Sequence, residues 1–196
     1  MDATRNMTTP KIAFIGFGEA GLAFARPGDA VFDRKTTYPT ARAAKLADYH
    51  AAGVKGCETA RLALTGAAVA LSLVTADQAL AAAQDDAALL QRGALWLDMN
   101  SVAPGTKRAA ARAIEAAGGR YADVAVMAPV HPARMAVPLL VAGPHATDAA
   151  AALAEIGFTN VSGTGPNVGD ASAIKMIRSV MVKGIEALTA ECVLAA

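Results

Sequence analysis

Three glycines with the spacing G-x-G-x-x-G directly follow a short apolar run near the start of the chain. The run covers residues 12–15, and the glycines are Gly16, Gly18 and Gly21. This order is typical of a buried parallel strand that turns into a helix through a glycine loop. In such a loop the first glycine permits the tight turn, the second lets a pyrophosphate approach the backbone, and the third lets the helix pack closely. The sequence therefore predicts a dinucleotide site, although an ordinary strand-to-helix junction can carry the same pattern.

The rest of the chain alternates between short apolar runs and helix-like segments. The apolar runs predict eight strands, which cover residues 12–15, 30–33, 54–57, 69–74, 95–98, 121–126, 138–142 and 158–161. Asp77 is predicted to cap a helix that continues to about residue 91. Strands and helices that alternate in this way indicate a largely parallel sheet covered on both faces. We therefore predict an α/β, Rossmann-like, doubly wound domain over residues 11–166, after a flexible segment of residues 1–10.

Residues 167–196 do not fit this alternation. From Asp170 onward the sequence has no proline, and its apolar residues recur at helical spacing: Ile174, Ile177, Met181, Ile185, Leu188 and Cys192. We predict one long C-terminal helix whose apolar stripe needs a partner surface. That surface belongs either to a further domain or to a second copy of the chain, unless the helix folds back on its own domain. We favour a homodimer formed through this helix.

Charge and composition exclude several classes of function. The formal net charge is +1 and no run of basic residues is present, which argues against nucleic acid or anionic membranes as partners. Cys57 and Cys192 match no metal-binding spacing, so no metal site is predicted. The longest apolar run, residues 67–76, is too short to span a bilayer, and residues 1–10 lack an apolar signal core. We therefore predict a soluble cytoplasmic protein.

Polar residues follow several of the predicted strands at their carboxyl ends, where doubly wound sheets bind ligands. They are Val74-Thr75, Asn100-Ser101, Asp123 and, in the loop beyond, His131. Asn100 and Ser101 are suited to holding a carboxylate or hydroxyl, although they could equally cap the following helix. Asp123 could be a structural hydrogen-bonding acid, and His131 could simply be exposed.

Lys175 is the sharper catalytic candidate. It lies near the start of the long helix, among apolar neighbours and just after a glycine-containing loop. A lysine whose pKa is lowered towards neutrality by burial can act as a general acid or base. The alternative is a solvated surface lysine.

Four motifs in order resemble the β-hydroxyacid dehydrogenase family, which includes 6-phosphogluconate and 3-hydroxyisobutyrate dehydrogenases. They are the glycine motif Gly16-Phe17-Gly18-Glu19-Ala20-Gly21, the segment Asp98-Met-Asn-Ser-Val-Ala-Pro104, the segment Asp123-Val-Ala-Val-Met-Ala-Pro-Val130, and the block from Gly165 to Lys175. The segment from Lys175 to Leu188 is most similar to the phosphogluconate-dehydrogenase-like members of unassigned substrate.

This resemblance implies an NAD(P)-dependent dehydrogenase that moves hydride between nicotinamide and a small hydroxy acid. Residues 16–21 would bind the cofactor, and Val74 and Thr75 would line its nicotinamide side. Lys175 would be the general acid/base, with Asn100 and Ser101 binding substrate; Asp123 and His131 are further candidates for that pocket.

The chain departs from the family pattern at three points. Ser179 stands where the family usually has an asparagine, which weakens the assignment to the common 3-hydroxyacid substrates. Asp33 comes only seventeen positions after Gly16, where about twenty or more are usual, so the first helix is short. The family normally continues into an all-helical second domain, and this chain stops within the linking helix. An alternative function is therefore a truncated, catalytically incomplete dinucleotide-binding module, and a third is an imine or enoyl-type reductase.

The choice between NAD and NADP depends on Asp33-Arg34-Lys35. An acid at the end of the second strand favours the ribose 2′-hydroxyl of NAD, whereas a nearby arginine favours the 2′-phosphate of NADP. We favour NADP because two cations outweigh one carboxylate.

Overall fold

The computed structural model describes residues 11–195, so the prediction for residues 1–10 lies outside the described residues. Eight strands form one sheet in the order β3-β2-β1-β4-β5-β6-β7-β8. The strands are β1 Ile12–Ile15, β2 Ala30–Phe32, β3 Lys55–Gly56, β4 Val69–Ser72, β5 Leu95–Asp98, β6 Arg120–Val126, β7 Leu139–Ala142 and β8 Val161–Gly165. Strands β1 to β6 pair in parallel, and β7 runs antiparallel to β6. The predicted largely parallel sheet is confirmed.

Seven α-helices connect or follow these strands. They are α1 Glu19–Phe24, α2 Pro39–Ala52, α3 Ala60–Leu64, α4 Ala79–Asp86, α5 Pro104–Ala116, α6 Ala146–Ile156 and α7 Asp170–Ala195. Helices α1, α2 and α6 pack on one face of the sheet, and α3, α4 and α5 pack on the other. The domain is therefore doubly wound, and the carboxyl ends of β1, β4 and β5 meet at one edge.

Two local predictions are wrong. The last strand is Val161–Gly165 rather than residues 158–161, because Phe158 leaves the strand path to pack against Phe24 at a ring-centroid distance of 4.9 Å. Asp77 does not cap α4, because it lies inside a 3-10 turn whose last residue, Gln78, precedes the helix. The carboxylate of Asp77 accepts a hydrogen bond from the side chain of Gln78 instead.

Helix α7 contacts the domain only through its first turns. Ala171 and Ser172 are its buried residues, whereas Ile177, Ile185 and Leu188 are 63–70% exposed. The helix does not fold back on its own domain, so that alternative is wrong. Within residues 11–195, no helix combines the length and the apolar character needed to cross a membrane.

Candidate functional site

The glycine loop after β1 is built around Gly16. Its φ is +92°, and a Cβ atom at this position would lie 2.5 Å from the carbonyl oxygen of Leu73, beyond β4. A Cβ atom at Gly21 would lie 3.1 Å from the carbonyl oxygen of Gly16 and 3.1 Å from the ring of Phe17. A Cβ at Gly18, in contrast, would meet nothing within 4 Å. Gly16 is therefore required by packing, a Cβ at Gly21 would be tightly packed, and Gly18 leaves open space above the first turn of α1.

Two charged side chains hold this loop from behind. The carboxylate of Asp33 accepts hydrogen bonds from the backbone N–H groups of Phe17 and Lys35, each at 2.8 Å. The ammonium group of Lys45 donates to the carbonyl oxygen of Phe17, also at 2.8 Å. The ring of Phe17 is buried against Tyr49, with a centroid distance of 5.2 Å. Phe17 therefore supports the loop and does not line the cleft.

A cavity of about 620 Å³ opens beside the loop, between the carboxyl end of β2 and helix α4. Arg34 reaches across it to hydrogen-bond the side-chain oxygen of Gln78, and its guanidinium lies 5.9 Å from the ring centre of Tyr38. The predicted cofactor residues that line this cavity are Gly16, Gly18, Glu19, Ala20, Asp33, Arg34, Val74 and Thr75. A cavity of this volume beside open glycine backbone suits a dinucleotide, and the six-residue length of α1 leaves this loop intact.

A second cavity of about 360 Å³ continues from the first. The two share four lining residues, Glu19, Ala20, Leu73 and Val74. The second cavity is also lined by Asn100, Ser101 and Lys175. The fold thus brings the three predicted catalytic and substrate residues to one end of a continuous cleft, with the glycine loop towards the other end.

Lys175 and Ser101 are in direct contact in this second cavity. The Lys175 ammonium donates to the Ser101 hydroxyl oxygen at 2.6 Å. Burial lowers the pKa of the Lys175 amine, and the nearby cations Lys107 and Arg178 lower it further. A lysine with a lowered pKa is suited to take and return a proton near neutral pH.

Asn100 lines the second cavity with its side-chain amide held by two neighbours. Its side-chain nitrogen donates to Ser72 Oγ at 3.0 Å and to Asp98 Oδ1 at 2.8 Å, which fixes the amide plane. Its buried side-chain oxygen has no hydrogen-bond partner among the described residues. A buried acceptor without a partner costs free energy.

Two predicted substrate residues lie outside the cleft. Asp123 is fully buried, and its Oδ2 atom accepts hydrogen bonds from Gly169 N–H, Ser172 N–H and the Ser172 hydroxyl at 2.6–3.1 Å. It anchors the start of α7 in the structural role that the sequence left open. His131 is exposed and lines neither cavity. Neither side chain is placed to touch a ligand in the cleft.

Sequence reasoning missed Lys107, which is fully buried on α5 behind the second cavity. It lies on the same helical stripe as the buried residues Ala110, Ala111 and Ile114. A lysine at i relative to apolar residues at i+3, i+4 and i+7 occupies a core position. That periodicity was the sequence signal that could have identified Lys107 as a buried residue. A lysine in the core needs buried acidic partners, so the same signal indicates a buried ion pair.

The fold and the cleft together define a Rossmann-type dinucleotide-binding domain. Residues 11–163 match the family described as the NAD-binding domain of 6-phosphogluconate dehydrogenase. The chain belongs to this family. A comparison with curated proteins gives no match.

Solved structures agree with this assignment. A conserved hypothetical protein from Sinorhizobium meliloti 1021 is 39% identical with a TM-score of 0.83, and the match covers 95% of this chain and 64% of that one. The 3-hydroxyisobutyrate dehydrogenase of Mycobacterium tuberculosis shares the fold at 23% identity and a TM-score of 0.79, over 96% and 65% of the two chains. An imine reductase from Myxococcus stipitatus, solved with NADP⁺, is 25% identical with a TM-score of 0.74, over 94% and 65%. The chain therefore spans about two thirds of the length of these neighbours.

Proposed function

We propose that this chain is the cofactor-binding and catalytic-lysine part of an NAD(P)-dependent oxidoreductase that interconverts a small hydroxy acid and its keto form. The observation that supports this most directly is the Lys175–Ser101 contact at 2.6 Å, in a cavity continuous with the glycine-loop cavity. The cofactor, when bound, supplies or accepts the hydride at its nicotinamide ring. Its phosphates would lie against Gly18.

The residues of the second cavity have different roles in the proposed reaction. Lys175 takes the proton of the substrate hydroxyl during oxidation and returns it during reduction. Ser101 and Asn100 orient the substrate, because both line this cavity and the hydroxyl of Ser101 is held by Lys175. The lowered pKa of Lys175 supports this role, since a fully protonated amine could not act as the base.

We propose NADP as the preferred cofactor. Both carboxylate oxygens of Asp33 already accept backbone hydrogen bonds, from Phe17 and Lys35, so the acid is partly occupied as a partner for a ribose hydroxyl. Arg34 and Lys35 line the same end of the cavity and are exposed. Two exposed cations at this place favour a 2′-phosphate.

The exposed stripe of α7 supports the further proposal of a homodimer formed through this helix. Several of its large apolar side chains are exposed, such as Val180 at 69% and Leu188 at 70%, which is unusual for an isolated surface. The division of the chain at residue 166 and a cytoplasmic location stay predictions.

The test combines binding with turnover. Fluorescence titration with NADPH and NADH should show saturable binding, tighter for NADPH. A panel of small hydroxy acids, with cyclic imines as a second arm, should then reveal turnover that Lys175→Met reduces by at least about 100-fold, the lower end of the range expected for loss of an essential acid/base group (about 10²–10⁴). Lys183→Met is the matched control, because Lys183 is an exposed lysine on the same helix. It should leave turnover within about twofold.

A catalytically incomplete module is the second candidate. Tight cofactor binding without turnover on any substrate would support it, and absence of binding to either cofactor would contradict both candidates.

A further inference from the structure

One buried cation connects the two elements that carry the proposed catalytic groups. The ammonium group of Lys107 donates to the backbone carbonyl oxygen of Asp98 at 2.6 Å and to its Oδ1 atom at 3.0 Å. It also forms an ion pair with Asp123 Oδ1 at 3.3 Å. Asp98 and Asp123 lie opposite each other on the paired strands β5 and β6. All three side chains are at most 1% exposed, so their charges are held in a region of low dielectric.

Asp98, on one side of this cluster, positions the proposed substrate-binding residues. Its Oδ1 atom accepts hydrogen bonds from the backbone and side-chain nitrogens of Asn100, at 3.0 and 2.8 Å. Its Oδ2 atom accepts from the hydroxyl of Tyr121 at 2.6 Å. Asn100 precedes Ser101, so the position of Asp98 sets how both residues face the cleft.

The Asp123 side positions the catalytic amine. Asp123 holds the N–H groups of Gly169 and Ser172, and Lys175 follows Ser172 by three residues, on the next turn of α7. The loop before this helix also packs on α5, since a Cβ at Gly169 would lie 2.8 Å from Arg108 Nη1. The start of α7 and the amine of Lys175 are therefore located by the same carboxylate that Lys107 pairs with.

We propose that Lys107 is a positioning residue for the proposed reaction: by joining Asp98 to Asp123, it sets Asn100 and Ser101 on one side and Lys175 on the other at their working separation. This inference rests on the proposed function only for which reaction these residues serve. The contacts that support it are all between residues of this chain.

The same cation also acts on Lys175 through its charge. The charged groups near the amine are Lys107 on α5, Arg178 on α7 itself, and Glu19, which lines the same cavity from α1; behind Lys107 lie Asp98 and Asp123. Removing Lys107 leaves the two buried carboxylates facing this region without their cation. Lys175 should then hold its proton more strongly, and its pKa should rise.

The test measures Lys175 directly and needs neither cofactor nor substrate. Competitive acylation with isotope-labelled acetic anhydride between pH 6 and 10, read by mass spectrometry of the peptide that contains Lys175, gives the midpoint of its deprotonation. In Lys107→Met we expect the midpoint to rise by half a unit or more, so that acylation at pH 8 falls about threefold. Arg112→Met is the matched control, because it removes an exposed cation further along the same helix. Its midpoint should not change.

A folded Lys107→Met protein with an unchanged midpoint would overturn the proposal, as would an equal shift in Arg112→Met. Folding is checked by circular dichroism and by titration with NADPH, whose proposed site lies at the other end of the cleft. If Lys107→Met does not fold, the pair Lys107→Met/Asp123→Asn is compared with Asp123→Asn alone. The asparagine keeps an acceptor for Gly169 and Ser172, and the midpoint should again be higher in the protein that lacks Lys107.

The two proposals fail in different ways. If the wild-type chain binds neither NADPH nor NADH, the proposed function falls while the acylation experiment still reports on Lys107. If the cofactor binds and the midpoint does not move, the positioning role falls and the proposed function stands.

Discussion

The two ends of the cleft are held in place by different means. At the cofactor end, the glycine loop is fixed by backbone hydrogen bonds to two side chains, Asp33 and Lys45, and all these groups lie within about thirty residues of one another. At the catalytic end, a buried charge cluster around Lys107 joins residues from Asp98 to Ser172. Local backbone geometry therefore builds one end, and long-range side-chain electrostatics builds the other.

This difference predicts how each end responds to change. A loop whose first glycine meets neighbouring backbone should be most sensitive to the shape of single residues. A cluster of buried ions should be sensitive to charge and pH, because breaking one pair leaves another group buried and uncompensated.

The largest expected effect comes from the loop. Gly16→Ala should destabilise the domain by roughly 4 kcal/mol and abolish cofactor binding, because strain at positive φ adds to a Cβ that would meet the Leu73 carbonyl. Gly18→Ala is the matched change and should leave stability within about 0.5 kcal/mol, since its Cβ has open space. It should still weaken NADPH binding at least tenfold by filling the place of the phosphates. Urea unfolding and fluorescence titration give both quantities. Equal stability losses in the two variants would contradict this account of the loop.

A smaller effect concerns a charge at the cofactor end. Burial, with help from the neighbouring Asp85, raises the pKa of Asp86 to about 7. The unfolded chain loses this proton near pH 4 and the folded chain near pH 7, so stability falls as pH rises between these values. Asp86→Asn should therefore stabilise the protein at pH 8 by roughly 2–4 kcal/mol and have little effect at pH 4. Urea midpoints at both pH values test this. A gain of the same size at pH 4 would show that ionisation is not the cause.

The smallest effect is expected at the catalytic end. Ser101→Ala removes the hydroxyl oxygen that accepts from the Lys175 ammonium, so it should lower the pKa of Lys175, opposite to the change in Lys107→Met. A shift of about half a unit would raise acylation of Lys175 at pH 8 about threefold. Ser179→Ala, on the same helix as Lys175, serves as the control and should leave the rate unchanged. A shift in the same direction as Lys107→Met would mean that the contact does not favour the charged lysine.

The contrast between the ends also explains what could be predicted from the sequence. The glycine loop and the strands Ile12–Ile15 and Leu95–Asp98 were predicted at their observed bounds, because backbone requirements and apolar periodicity are local properties. The last strand was misplaced because Phe158 was taken as a strand residue, and only the tertiary structure shows that it packs on Phe24.

The same reasoning applies to the site residues. Lys175 and Asn100 could be proposed from motif resemblance, and the fold brings them to one cavity. The role of Asp123 could not be decided from the sequence, because the local sequence around an acid at a strand end is the same whether the acid faces a ligand or the start of a helix. Its partners, Ser172 and Lys107, are distant in sequence and adjacent only in the folded chain.

The shape of α7 has a mechanical consequence for the amine that it carries. With a rise of about 1.5 Å per residue, the helix extends roughly 38 Å, and Lys175 lies only about 8 Å from its anchored first turn. If the helix pivots about that turn, any sideways displacement of its far end reaches Lys175 reduced about fivefold. A swing of 3 Å at the tip, for example, would move the base of this side chain by roughly 0.6 Å. The helix thus works as a lever with the reactive group beside its fulcrum, which shields the contact with Ser101 from movement at the exposed end.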